Sequence, residues 1–169
     1  MQVVSKTDFD RLSAHDPYYA GRWPYFEKAG RVVMALRLFG PVLEIGPYRF
    51  PLVIGSDTMD IRDIYKPTFQ WNAGCPTWPV KDKTYDLLIG LQVWEHLGEN
   101  QHVAFSEACR VSKWILLSFP FKWNCPKDKI HHGIGPEKIS SWTNGMEYMS
   151  WHVGNRVICL FHVGEEKVK

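Results

Sequence analysis

The sequence predicts an α/β fold, a mostly parallel sheet closed by an antiparallel C-terminal hairpin, and three observations carry that reading. Short apolar runs at Pro41–Ile45, Leu52–Ile54, Tyr85–Leu91 and Lys113–Phe119 alternate with segments whose apolar residues fall at helical spacing. Gly46 follows directly on the first run, where a residue without a Cβ lets the backbone approach a ligand at the carboxyl edge of a sheet. The last two runs, Met146–Val153 and Arg156–Val163, are joined by Gly154-Asn155, a two-residue hairpin signal. Strands alternating with helices imply parallel pairing, and the hairpin supplies the antiparallel edge.

Each element follows in order. Ser5–Trp23 is polar and aromatic, broken at Asp16-Pro17 and Gly21, and reads as a short helix followed by a strap. Pro24–Phe39 spaces Phe26, Ala29, Val33 and Leu36 as a helix that starts at a proline and stops at Gly40. Pro41–Ile45 and Leu52–Ile54 read as the first two strands, with only about six residues between them, too few for the 10 to 12 residues of a crossover with its own helix. A direct loop is therefore expected there. Ile61–Tyr65 suits a helical turn, Phe69–Trp71 a weak strand, and Tyr85–Leu91 the clearest buried strand. Glu99–Val111 places Val103, Ala104, Ala108 and Val111 on one helical face, Lys113–Phe119 is the next strand, and Pro136–Trp142 a short helix.

Length and composition limit the function classes. A chain of 169 residues suits one domain with its own core, and 45% hydrophobic with 22% charged residues is an ordinary globular mixture. The formal charge is +2 with both signs interspersed, so the basic stripe of a nucleic-acid binder is missing. Cys75, Cys109, Cys125 and Cys159 form no C-x-x-C pattern, which favours reduced thiols. The first residues lack an apolar targeting core, and no apolar run approaches the roughly 20 residues of a membrane span. A cytoplasmic protein with no membrane or nucleic-acid partner is expected, and the apolar hairpin offers an edge for a homodimer.

The stretch Val42-Leu43-Glu44-Ile45-Gly46-Pro47 places a carboxylate and a glycine at the end of a buried strand. With Tyr85-Asp86-Leu87-Leu88-Ile89, Val93-Trp94-Glu95-His96-Leu97 and Trp114-Ile115-Leu116-Leu117-Ser118-Phe119-Pro120 in the same order, the chain resembles the class I S-adenosylmethionine-dependent methyltransferases from about Val42 to Pro120. The pattern G-P-Y-R-F-P-L-V-I-G-S-D looks like a subgroup with a short Phe-Pro loop between the first two strands, and it lacks the family's second and third glycines. The resemblance implies a three-layer, Rossmann-like methyltransferase sheet. It divides a single domain, 1–169, into an N-terminal helical strap (1–40), a cofactor-binding core (41–120) and an acceptor loop with the terminal hairpin (121–169).

The resemblance also implies S-adenosylmethionine as cofactor and a set of residues around it. Glu44 would accept from the cofactor's amino acid part or orient the glycine loop, or else anchor the N-terminal helix. Gly46 and Pro47 would leave room for the nucleoside. Asp57, as an acid ending the second strand, would accept the ribose hydroxyls, with Thr58 and Met59 beside it; its alternative role is a turn residue. Asn72 and Ala73 would meet the adenine, and backbone at Leu91 and Gln92 would pass near the sulfonium. Trp78 reads as a core or lid aromatic.

Candidate catalytic groups follow the fourth and fifth strands. Glu95 and His96 either face the cleft or begin the next helix. His131 and His132, in D-x-x-H-H-G-I, would overhang the acceptor pocket as base or positioning groups, or lie solvated on the loop. Cys125 with these histidines matches no familiar zinc spacing, so no metal is expected. The aromatic candidates for the pocket are Tyr18, Tyr19, Trp23, Trp123 and Trp142. After the fifth strand there is no Asp or Asn followed by Pro-Pro and an aromatic, the family's mark for amino methylation of bases. The expected activity is methyl transfer to a small-molecule acceptor such as a sugar-containing metabolite. The alternative is a methyltransferase-like domain without catalysis that serves as a binding or assembly module. A nicotinamide enzyme would need G-x-G-x-x-G opening a helix, and that is absent.

Overall fold

The computed structural model describes residues 1–14, 16–121 and 134–164. Within them, one sheet holds β1 (Val42–Ile45), β2 (Asp57–Asp60), β3 (Phe69–Gln70), β4 (Tyr85–Leu91), β5 (Ser112–Pro120), β6 (Tyr148–Val153) and β7 (Arg156–His162), in the order β3-β2-β1-β4-β5-β7-β6. The first five strands are parallel. β7 runs antiparallel to β5, and β6 antiparallel to β7. The helices are α1 (Lys6–Leu12), α2 (Trp23–Ala35), α3 (Gln101–Val111) and α4 (Pro136–Thr143).

Alternation along the strands sends side chains to two cores, as pleating requires. Leu43 and Ile45 of β1 face α3 and α4, where Ala104, Ala108, Phe105 and Trp142 pack. Val42 faces the opposite core, built from Phe9 of α1, Phe26, Ala29 and Val33 of α2, and Phe50 and Leu52. Trp78 is buried in the α3 core, and its indole N–H donates to the Ala73 carbonyl at 3.1 Å. It is a core aromatic.

The second strand departs from the sequence reading. Leu52 and Val53 are buried, but they do not join the sheet beside β1. The Val4 N–H donates to the Leu52 carbonyl and the Ile54 N–H to the Gln2 carbonyl, both at 2.9 Å, with an antiparallel bridge between Val3 and Val53. The strand beside β1 is the polar Asp57-Thr58-Met59-Asp60, in register Leu43 to Asp57 and Ile45 to Met59. Apolar character marked burial correctly at Leu52 and Val53 but not at Ile54, which is 48% exposed, and it did not mark partnership, because Leu52 and Val53 pack in the α2 core instead of extending the sheet. No helix intervenes between β1 and β2, yet the connection spans 46–56 rather than six residues.

Among the described residues, no helix is long and apolar enough to cross a membrane.

Candidate functional site

The ligand edge of an open α/β sheet lies beyond the carboxyl ends of its strands, at the point where strand order reverses. Here that point lies between β1 and β4, where the chain turns outward at Gly46 and at Gln92. Gly46 has φ +59°, and a Cβ there would lie 2.8 Å from Val93 Cγ2, so both conformation and space demand glycine. Its N–H donates to the Met59 carbonyl at 2.8 Å, tying the β1 end to β2. Two residues on, Tyr48 adopts φ +62°, a left-handed conformation taken by a non-glycine residue where the family's glycine run would continue. Pro47 between them is partly exposed. The Tyr48 ring lies against Tyr18 and Tyr65, with centroids 4.6 and 5.0 Å away.

Glu44 is 3% exposed and lines, with Gly46, Pro47 and Leu91, a narrow cleft at this edge. Its oxygens accept from the Leu52 N–H at 2.7 Å, the Val53 N–H at 2.6 Å and the Ser56 hydroxyl at 3.2 Å. Burial pushes its carboxyl up to about 7 against the pull of these three donors. Of the roles open to it, the geometry is that of a brace for the 46–56 connection.

Asp57 does not end the second strand; it opens it. It therefore lies at the amino edge of the sheet, opposite Leu43, where its carboxylate accepts from the Tyr85 hydroxyl at 2.8 Å and from the Thr68 hydroxyl at 3.4 Å. The expectation that Asp57 ends the second strand is thereby corrected: the strand begins at Asp57, and the acid at its carboxyl end is Asp60. Thr58 exchanges hydrogen bonds with Thr68, each backbone N–H donating to the other's hydroxyl, and the Met59 side chain is fully buried in the core. Neither side chain reaches the ligand edge. Asp60 is 6% exposed. Its Oδ1 accepts from the Arg62 N–H at 2.9 Å and its Nε at 3.3 Å, and its Oδ2 is buried with no partner among the described residues.

Beyond Asp60, an open cavity of about 300 Å³ is lined by Ile61, Gln70, Trp71, Asn72 and Cys75. Ile61 is 63% exposed, an apolar side chain held in solvent beside a buried acid. The Asn72 oxygen accepts from the Gly74 N–H at 2.9 Å and keeps a second lone pair. Ala73 is buried and lies behind this wall.

At the end of β4, Leu91 is partly exposed and Gln92 takes φ +59°, its N–H donating to the Ser118 carbonyl at 2.8 Å. The Gln92 amide bridges Ser118 Oγ and Arg156 Nε, both at 3.2 Å. Glu95 follows in a 3-10 turn. It is 5% exposed, its Oε2 has no partner among the described residues, and burial pushes its carboxyl up to about 7 although Arg156 and Arg22 pull it down. Above it, the Arg22 guanidinium lies 3.8 Å from the Tyr18 ring centre and donates to the Tyr25 hydroxyl at 3.3 Å, while Arg156 lies 4.9 Å from the Tyr25 ring.

The other predicted residues divide. His96 is exposed on the same 3-10 turn, its backbone N–H bonded to the Val93 carbonyl at 2.9 Å. His131, His132, Cys125 and Trp123 lie outside the described residues. Trp142 packs in the α3 core against Phe105 and Phe119, whereas Tyr19, stacked on Phe50, lines with Tyr18, Tyr25 and Gly46 the narrow cleft at the β1 end. Sequence reasoning missed Asp60, Arg22 and Arg156. An acid followed by an apolar residue, Asp60-Ile61, was available as a signal, but no local pattern points to the arginines, which a strap and a hairpin bring together. Among the described residues no cluster of His, Cys, Asp and Glu could hold a metal.

No protein-family model matches the chain, and no curated protein matches it in sequence. Solved structures do match. The chain is similar to a possible histamine N-methyltransferase from Thermotoga maritima (14% identity, TM-score 0.63, covering 92% of this chain and all of that one). It is similar to the N-methyltransferase NodS from Bradyrhizobium japonicum (11%, 0.62, 89% and 99%). A third likeness is to magnesium protoporphyrin IX methyltransferase from Synechocystis, solved with bound S-adenosylmethionine (16%, 0.56, 92% and 90%). With this strand order, the antiparallel C-terminal pair and these neighbours, the fold of the chain is that of the class I S-adenosylmethionine-dependent methyltransferases.

Proposed function

We propose that the chain is an enzyme that binds S-adenosylmethionine across the carboxyl ends of β1 and β2 and transfers its methyl group to a small-molecule acceptor held at the end of β4. The observation that carries this reading is the buried, unpartnered Oδ2 of Asp60 at the end of β2. A buried carboxylate oxygen without a donor is costly, and a ribose diol supplies the missing hydrogen bonds. Gly46 admits the cofactor's close approach, Ile61 and Trp71 offer apolar surface to the adenine, and the open lone pair of Asn72 suits its amine.

The bound cofactor would supply an activated methyl group, whose bond to sulfur breaks with the electron pair going to sulfur as the acceptor's nitrogen or oxygen bonds the carbon. What remains for the protein is alignment and proton removal. Glu95, ionising near neutral pH, is the group we assign to receive the acceptor's proton. Gln92 is assigned to position the acceptor from the β4 end, and the half-exposed Tyr18 ring suits the C–H face of a sugar-containing metabolite. His131 and His132 remain proposals for the overhanging loop. The free thiols of Cys75, Cys109 and Cys159 support a reducing, cytoplasmic setting.

Calorimetry and thermal shift with S-adenosylhomocysteine test the cofactor site. Ligand at about 100 times its dissociation constant adds about 2.7 kcal/mol, which raises Tm by roughly 5–11 °C for a domain of this size. Asp60→Ala is expected to lose most of that shift and Asp57→Ala to keep it. Equal affinity in wild type and Asp60→Ala removes the ribose assignment. No shift in wild type at millimolar ligand removes the enzyme reading.

A further inference from the structure

The acceptor side of the cleft carries two arginines in an unusual state. Arg11, Arg31, Arg49, Arg62 and Arg110 each pair with a carboxylate within 4.0 Å. Of the three arginines that form no ion pair among the described residues, Arg37 is exposed to solvent, whereas Arg22 and Arg156 are both partly buried.

Both are held in place by neutral groups. The Arg22 Nε donates to the Tyr18 carbonyl, its Nη1 donates to the Tyr25 hydroxyl at 3.3 Å, and its plane lies on the Tyr18 ring. The Arg156 Nε donates to Gln92 Oε1 at 3.2 Å, its Nη1 to Asn155 Oδ1 at 3.4 Å, and its plane lies over the Tyr25 ring. Tyr25 touches both, so the two guanidinium groups border one space. Each has five N–H donors, and these contacts use two on each side. The N-terminus of α2, which begins at Trp23, lies at the same place and adds the positive end of its dipole. On the floor is Glu95, with Oε2 buried and unpartnered.

Two pre-positioned, unpaired guanidinium groups match the bidentate geometry of a carboxylate or a phosphate. We infer that Arg22 and Arg156 form a binding subsite for an anionic group, carboxylate or phosphate, carried by the methyl acceptor. This rests on the reading of the site as a methyltransferase cleft, and it narrows the acceptor class: the acceptor bears an anion within reach of the nucleophile that Glu95 faces. An uncharged acceptor would leave the two cations with no carboxylate in contact and only the Glu95 carboxyl nearby as a counter-charge.

The test is a thermal-shift and calorimetric titration of the whole chain with inorganic phosphate and, separately, malonate, each compared with sodium chloride at matched ionic strength. At about ten times its dissociation constant an anion raises Tm by roughly 3–6 °C. At least one of the two probes is expected to do so in wild type. Arg22→Gln and Arg156→Gln keep much of each side chain's packing while removing the charge, and each is expected to weaken anion binding at least tenfold. Arg31→Gln, on an exposed pair with Glu27, is expected to leave it unchanged. A response to phosphate alone assigns a phosphoryl group, and to malonate alone a carboxylate.

Absence of any anion-specific shift in wild type overturns the subsite, as does an unchanged affinity in both glutamine variants. A parallel titration with S-adenosylhomocysteine separates the two proposals. If it binds and neither anion does, only the subsite falls. If anions bind through the arginines and it does not, the anion site stands, but the methyl-transfer reading falls and with it the assignment of the anion to a methyl acceptor.

Discussion

Glu44 lies within β1 and Glu95 just past β4, and the two carboxyls share burial and ionisation but not partners. Both are at most 5% exposed, and burial pushes both up to about 7. Around Glu44, two backbone N–H groups and a hydroxyl close on the carboxylate, and all three come from the 46–56 connection. Around Glu95, one oxygen is left open, and the nearby cations pull on it without touching it. The difference separates an acid whose oxygens are both satisfied by the fold from one left with an open oxygen, which we propose a ligand uses. Burial and a raised ionisation point are therefore poor guides to catalysis on their own; the count of satisfied oxygens distinguishes the two.

Substitutions at the two acids should diverge accordingly. Glu44→Ala strands the Leu52 and Val53 N–H groups in the α2 core, at about 1–3 kcal/mol for each buried donor left unpaired. A loss of about 3 kcal/mol is expected, which thermal unfolding should report as a drop of roughly 6–12 °C. A drop of only a degree or two would mean that the connection holds itself. Glu95→Gln should instead leave Tm unchanged or raise it, because a desolvated carboxyl is removed. Its turnover, once an acceptor is in hand, is expected to fall by about 100-fold or more with cofactor affinity unaltered; a normal rate would make Glu95 a second structural acid.

The acid pair also makes stability depend on pH. Each carboxyl ionises near 4.5 when unfolded and at about 7 when folded. A folded-state value raised in this way favours the native state fully below about pH 4.5 and loses that contribution as pH rises through 7. Tm should therefore fall between pH 5 and pH 8, and Glu95→Gln should remove part of the fall. A flat profile in wild type would count against both shifts.

The smallest expected effect is that of Asp57→Ala, which removes one acceptor from the Tyr85 hydroxyl. It should cost about 1 kcal/mol, read as a Tm lower by about 2–4 °C, with S-adenosylhomocysteine affinity unchanged. A large loss of affinity would return Asp57 to the site.

Legibility in the sequence differed between the two ends of the cleft. Gly46 was readable because the end of a buried strand that needs both a left-handed turn and a close approach to Val93 accepts no other residue. Tyr85–Leu91 was readable because seven residues of buried parallel strand leave a run that nothing else explains. Asp60 was not, because β2 is polar and β3 only two residues long, while Leu52 and Val53 carried a stronger strand signal for a different reason: they are pinned under α2 by Glu44 and the first residues of the chain. One misplaced strand moved the acid from one edge of the sheet to the other.

The sequence by itself determined the class of fold, the order of its strong strands and the glycine at the turn, since each depends on local pattern; the helix-free link from β1 to β2 was expected from a gap of six residues, but the true connection has eleven. Tertiary structure alone decided which acid stands at the ligand edge and which arginines meet above Glu95. Those outcomes depend on register between strands and on a strap and a hairpin, separated by more than a hundred residues, converging on Tyr25. Periodicity along a chain records which face of an element is buried, but not which distant element covers it.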